Sequence, residues 1–392
     1  VRAWWKRKRV WVPAALVGLL VAGALVVVPA LPAIRFLRRL PEPEPDAAWG
    51  VAHGAPSEAA PRAAGEPARL RVEPPAGGAE VVVVHGLAEE GVADPRLWRL
   101  AAAFSAAGFG VTVPEVSVLR DLRTDPRAAG TLAGPGASAP GARELSLAAD
   151  AVVAAVPRGR PTLLVGVSVG GALALRAAAR AGEDVRAVLL VGAPDDVVAC
   201  ARGWFRRADA PEGADAAAAA RAEAGRFARA ALLRSALPWL VADASEVERL
   251  GAWLRDAKGW RADPLPPDAR PTSEAGRRLE RVALAGERAS EEDVEWALSG
   301  AKGLLEGLSP AHREEDLARL ACPVFLVHGV SDPLVPVEEM ARLAARLRGR
   351  VAVETLSSRL VAHVGVEDPG IAETWRHVRF LSRAFDAVER GG

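Results

Sequence analysis

Pro161–Ala172, reading PTLLVGVSVGGA, constrains this chain more than any other stretch. A short apolar run, Leu163-Leu164-Val165, leads into Gly166-Val167-Ser168-Val169-Gly170, and Gly171 then opens an Ala- and Leu-rich helical pattern. The result is a G-x-S-x-G sequence in strand–turn–helix context. In that context the serine sits on a sharp, strained turn, and the glycines let neighbouring backbone pass where a Cβ would clash. The hydroxyl is carried over the end of a sheet, beside the first N–H groups of a helix. Taken bare, the pattern is a weak signal in a Gly-rich chain. The strand before it and the helix after it make Ser168 a candidate nucleophile.

The rest of the chain supplies the sheet that such a turn needs. Glu80–His85 (EVVVVH) is a continuous β-branched run, the mark of a strand buried on both faces. Helical spacing over Arg96–Ala107 is followed by a strand at Phe109–Val113, and Ala142–Val156 is helical before the Leu163–Val167 strand. Further strands are expected at Val185–Val191, Val324–His328 and, shorter, near Val351–Thr355. This βαβα order predicts an α/β fold with a mostly parallel sheet covered by helices. Between Val191 and Val324 lie about 130 residues with no strand signal. They are Ala-, Arg- and Glu-rich with helical periodicity: Trp239–Trp260 is amphipathic, and Ser290 with Asp293 forms a capping box. Residues 196–320 therefore read as a helical cap inserted into a core made of residues 69–195 and 321–392. Trp204, Trp239, Trp253, Trp260 and Trp296 fall in the cap, most of them expected to serve helix packing.

The N-terminus is of another kind. Residues 10–34 carry no charge and are long enough to cross a bilayer as a helix, with Trp4, Trp5 and Trp11 at the leading interface. Five basic residues precede this run and three follow, which predicts a single-pass anchor with the N-terminus cytoplasmic and the body outside. Residues 1–40 are thus the basic segment and anchor, and the Pro/Ala-rich residues 41–68 a semi-extended linker. Whether the N-terminal segment is cleaved is left open by a poor cleavage signal near Leu31–Ala33.

Composition narrows the chemistry. The chain has four Lys against 46 Arg and no Asn, Gln or Tyr, which fits a very GC-rich bacterial coding sequence and reads Val1 as a GTG start. With no amide or phenol side chains, an oxyanion must be met by backbone N–H groups. Residues 1–39 hold +8, leaving −7 for the remainder of a chain whose net charge is +1. A mildly acidic body argues against a nucleic-acid footprint. Two cysteines, Cys200 and Cys322, suit neither a zinc site nor a disulfide framework; two buried free thiols are expected, with a single disulfide as the alternative.

A nucleophilic serine requires a base, and the base an orienting acid. Asp332, in CPVFLVHGVSDPLVP, sits in a loop at the C-terminal end of a strand, where active groups of parallel sheets collect. Asp195 and Asp196, after the preceding strand, are the competing acids. His363, in RLVAHVGVE, follows the last strand and is the best base. Of the other histidines, His85 and His328 end buried strands and read as core or turn residues, while His53, His312 and His377 fall in the linker, the cap and a C-terminal helix. Beyond His85-Gly86, the backbone N–H of Leu87 is placed to share an oxyanion with that of Val169. Each such donor is worth about 3–4 kcal/mol.

VVVVHGL, GVSVGG, CPVFLVHGVSDPLVP and the late His363 resemble the α/β-hydrolase superfamily over about residues 70–388. The resemblance implies Ser168 as nucleophile, His363 as general base, Asp332 as orienter and Leu87 and Val169 as oxyanion donors, in cofactor-free hydrolysis through an acyl-enzyme. The single Gly86 departs from an HGGG loop, and His363 lacks the glycine that often precedes that histidine. The expected substrate is a small-molecule or lipidic ester, reached by a serine esterase or lipase-like enzyme. Thioesterase, amidase and C–C hydrolase activities use the same residues. A non-catalytic binding or scaffold protein of this fold is the alternative from another class.

Overall fold

The computed structural model describes residues 30–40, 69–75, 78–88, 90–121, 142–206, 215–255, 270–285, 288–359, 361–362, 365–366 and 370–390, with single positions 45, 53 and 265. Seven strands form one sheet: β1 (Arg69–Val72), β2 (Glu80–Val84), β3 (Gly110–Pro114), β4 (Thr162–Val167), β5 (Val185–Val191), β6 (Val324–Gly329) and β7 (Val353–Ser358). Their order is β1-β3-β2-β4-β5-β6-β7, with every pairing parallel except the antiparallel edge strand β1. The β-branched and leucine runs explain the arrangement. Val82, Val84, Leu164, Val188, Leu190 and Leu326 bury one face, and Val81, Val83, Leu163, Val165, Leu189 and Phe325 the other. A strand apolar on both sides is stable only with helices on both faces.

One face is covered by α1 (30–39), α2 (Pro95–Ala106) and α11 (Ile371–Arg390). The other carries α3 (Ala142–Ala155), α4 (Gly170–Ala181) and α10 (Val337–Leu347). Between β5 and β6 the described residues hold no strand and carry the helices α5 (Val197–Phe205), α6 (Ala216–Leu240), α7 (Ala244–Arg255), α8 (Glu274–Ala285) and α9 (Glu291–Gly307). The amphipathic run expected over Trp239–Trp260 is divided. α6 ends at Leu240, and Asp243 accepts from the Glu246 N–H at the start of α7, so an N-cap breaks the pattern. Trp260 lies outside the described residues. At the head of α9, Ser290 accepts from the Asp293 N–H, the N-cap half of the expected capping box, while the Asp293 carboxylate accepts from the Ser290 hydroxyl rather than from its backbone N–H.

The boundary of the N-terminal segment differs from the sequence expectation. Residues 30–34, assigned to the membrane run, belong to α1, and α1 packs on the core. Ala30, Ala33 and Phe36 are buried at i, i+3 and i+6 on one side of that helix, while Arg35 and Arg38 are exposed on the other. Phe36 joins an aromatic cluster, 4.7 Å from Phe104 and 6.2 Å from Phe385 between ring centroids. A contiguous apolar count cannot separate a bilayer run from the first turns of a helix that docks on protein. No helix among the described residues is long and apolar enough to cross a membrane, and residues 10–29 lie outside them.

Cys200 and Cys322 are both free and buried. Burial pushes the Cys322 thiol up to about 11 and moves that of Cys200 in the same direction. A thiol with that pKa is only about 0.1% thiolate at pH 8, and the thiolate is the nucleophile. Neither cysteine is therefore expected to react with iodoacetamide in the native protein at pH 8. Both react once the chain is unfolded, as intact mass shows by two added carbamidomethyl groups.

Candidate active site

Ser168 stands at the junction of β4 and α4 with φ of +51°, the one described residue other than glycine with positive φ. This left-handed conformation costs a side-chain-bearing residue about 1–3 kcal/mol and persists only where the surroundings impose it. They do. The Ser168 N–H donates to the Val191 carbonyl at 2.8 Å, and its carbonyl accepts from Gly171 N–H at 2.9 Å. The glycines of the motif are sterically obligatory. A Cβ on Gly166 would lie 2.6 Å from the Gly171 Cα, and one on Gly171 would lie 2.6 Å from the Ala193 Cβ. One on Gly170 would lie 2.2 Å from the His85 carbonyl oxygen. α4 is thus pressed onto the sheet end, and Ser168, half-buried, keeps access to solvent.

The loop after β2 closes on the serine. A Cβ on Gly86 would come within 3.0 Å of the Ser168 Cβ and of the Val167 carbonyl, and 3.7 Å from the Ser168 Oγ. Leu87 follows directly and is half-buried, and Val169 opens the first turn of α4, whose N–H groups have no intrahelical acceptor. His85 holds this loop. Its Nδ1 lies 2.7 Å from the Gly86 carbonyl, and its Nε2 accepts from the Val116 N–H at 3.2 Å, so the proton belongs on Nδ1. Burial pushes the His85 pKa down, keeping the ring neutral. It is the satisfied turn histidine the sequence suggested.

Asp332 lies in the turn after β6. Its Oδ1 accepts from the N–H groups of Leu334 (2.8 Å) and Val335 (2.9 Å), and its Oδ2 lies 3.6 Å from His328 Nε2. His328 is itself buried, with Nε2 donating to the Val335 carbonyl at 2.9 Å. The competing acids are engaged elsewhere. Asp195 pairs bidentately with Arg346 at 2.9 and 3.0 Å, and Asp196 caps α5 by accepting from Val198 and Ala199 N–H.

His363 lies outside the described residues. The segments on either side of it, β8 (Val361–Ala362) and β9 (Gly365–Val366), pair antiparallel, and β8 runs against β6, the strand that leads to Asp332. At the stem of this segment a pair appears that the sequence did not single out. Ser358, ending β7, has its Oγ 2.7 Å from His377 Nε2, and His377 Nδ1 donates to the Glu373 carbonyl at 2.8 Å. Both residues are buried, Ser358 at 0% and His377 at 3% exposure, and Ser358 sits on regular strand rather than on a strained turn. Nothing in the local sequence marks Ser358. His377 carries the helical spacing of α11, which hides its partner.

No curated protein matches this chain in sequence. Solved structures similar to it in fold include 2-hydroxy-6-oxo-6-phenylhexa-2,4-dienoate hydrolase from Rhodococcus sp. strain RHA1, at 18% identity over 83% of this chain and 90% of that one, TM-score 0.37. A lipase in its open form has 18% identity over 82% and 94%, TM-score 0.40. MGS-M2, an α/β hydrolase from a Medee basin deep-sea metagenome library, has 12% identity over 80% and 93%, TM-score 0.38. The family description "alpha/beta hydrolase fold" matches residues 132–358, which include β4, Ser168 and the Asp332 turn. With its seven-stranded, mostly parallel sheet and a serine turned out at the end of β4, the chain belongs to the α/β-hydrolase fold family.

Proposed function

We propose that this protein is a membrane-attached serine hydrolase that cleaves carboxylic esters through an acyl-enzyme on Ser168. The observation that carries the reading is the strained Ser168 turn, with Gly86 packed against its Cβ. Strain of this size at an accessible hydroxyl is a feature of working sites. In the proposed reaction His363 takes the Ser168 proton as Oγ attacks the ester carbonyl carbon, and Asp332 fixes the imidazole and stabilises its charged form. The N–H groups of Leu87 and Val169 receive the oxyanion. The alcohol leaves with the proton from His363, and water, activated by the same base, releases the acid. The helices between β5 and β6 serve as the cap over this end of the sheet. Residues 10–29 supply the membrane attachment, with the body on the outer side, and α1 joins that anchor to the core.

A second reading has one observation in its favour: the 2.7 Å Ser358–His377 contact places another serine on a histidine. Full burial of Ser358 denies it a carbonyl substrate, so Ser168 is preferred.

The test is pre-steady-state hydrolysis of p-nitrophenyl esters of rising chain length. The expected result is a burst of p-nitrophenolate of about one equivalent of enzyme, followed by slower turnover, as an accumulating acyl-enzyme requires. Absence of both burst and turnover across acetate to palmitate, with folded protein, would contradict it and favour a binding or scaffold role.

A further inference from the structure

Trp204 lies in the last turn of α5, the first helix between β5 and β6, and its indole reaches across to the Asp332 turn. It is buried at 8% exposure, and its Nε1 donates to the Leu334 carbonyl at 2.8 Å. The Leu334 carbonyl and the Val335 N–H belong to one peptide group. That N–H is one of the two that donate to Asp332 Oδ1, at 2.9 Å. One peptide is therefore held between the indole on its oxygen side and the carboxylate on its nitrogen side. A hydrogen bond accepted by a peptide carbonyl polarises the peptide and strengthens what its N–H donates.

The chain of contacts extends away from the sheet. The Trp204 carbonyl accepts from Arg229 Nη1 of α6 at 3.1 Å, with Arg229 itself buried. Two helices of the β5–β6 segment are thus linked, through a single peptide, to the acid.

We infer that Trp204 is a positioning residue for Asp332, setting the carboxylate through the 334–335 peptide so that seating of the helices over the site and alignment of the acid are one event. This rests on the reading of Asp332 as the orienter. The Trp204 hydrogen bond goes to the Asp332 turn, so its contribution falls on both steps that use His363 as base, acylation and deacylation. Loss of the indole N–H leaves the Leu334 carbonyl unmatched and the turn free to rotate. Asp332 then stabilises the imidazolium less well, and loss of an opposite charge's support lowers a histidine pKa.

The test is Trp204→Phe in the full chain, with p-nitrophenyl acetate as substrate. A second variant carries benzothienylalanine at position 204, which replaces the indole N–H by sulfur and keeps the ring shape. Both are expected to lower kcat about tenfold, about 1.4 kcal/mol, with KM changed less than twofold. The acid limb of the kcat/KM profile moves to lower pH by about half a unit. In an Asp332→Asn background Trp204→Phe adds less than twofold, because the group it positions has already lost its charge. Wild-type-like kcat and pH limb in the benzothienylalanine variant, or a full tenfold loss in the Asp332→Asn background, would overturn the inference. A wild type with no esterase activity would instead overturn the reading of the site, and is seen before any variant is compared.

Discussion

Ser168→Ala is expected to lower ester hydrolysis by about 10⁴-fold or more while leaving the thermal unfolding midpoint within a degree of wild type. The asymmetry follows from the geometry. Alanine keeps the Cβ and with it the left-handed strain at φ of +51°, so the turn, the 2.8 Å bond to Val191 and the packing of α4 are unchanged. Only Oγ is lost, the atom that makes the covalent bond in the proposed reaction. What remains is transition-state binding by the oxyanion donors, which supports a residual rate far below that of the intact set. A variant that loses activity together with several degrees of stability would place the importance of Ser168 in the fold rather than in the chemistry. The measurement is turnover on a short p-nitrophenyl ester beside a calorimetric or circular-dichroism melt.

Gly170→Ala produces the second large effect, and it reaches the site through the backbone. The added Cβ would stand 2.2 Å from the His85 carbonyl oxygen and 2.7 Å from that of Val84. Both are main-chain atoms at the end of β2, so no side-chain rotation relieves the clash. The start of α4 and the His85–Leu87 loop must separate, and they carry the two proposed oxyanion donors. Overpacking of this kind costs about 1–3 kcal/mol, and loss of one aligned donor lowers kcat about 10²- to 10³-fold. The expected result is a lower melting point and a kcat loss larger than the stability change explains. Gly203→Ala is the matched comparison: a Cβ there meets nothing within 4 Å, and alanine in a helix gains up to about 1 kcal/mol over glycine. If both variants behave alike, close approach at Gly170 is not what shapes the site.

The parallel sheet was legible because its strands are written as uninterrupted Val and Leu, a pattern that only two-sided burial requires. β1 was not, for a physical reason. Arg-Leu-Arg-Val alternates like a surface strand, and its place at the edge depends on Arg71 meeting the buried Glu80 of β2 at 2.7 Å. The Ser168 turn and the Asp332 turn announce themselves by glycine and by Asp-Pro at strand ends. His363 was reached by elimination among six histidines, and only the paired strands on either side of it are described. The start of α1 is not legible in sequence because burial against Phe104 and burial in lipid select the same residues. The contacts of Trp204 with the Asp332 turn and of Ser358 with His377 are invisible in sequence for a common reason. Each contact joins elements distant in sequence, through a carbonyl or a helix whose presence there only the folded chain determines.

Whether Ser168 is the reactive serine is tested by peptide mapping with mass spectrometry after treating the folded protein with a fluorophosphonate. One adduct per chain is expected, on the peptide containing Ser168 and lost in Ser168→Ala. An adduct on the Ser358 peptide, or no adduct on folded protein even with a small uncharged probe, would contradict it.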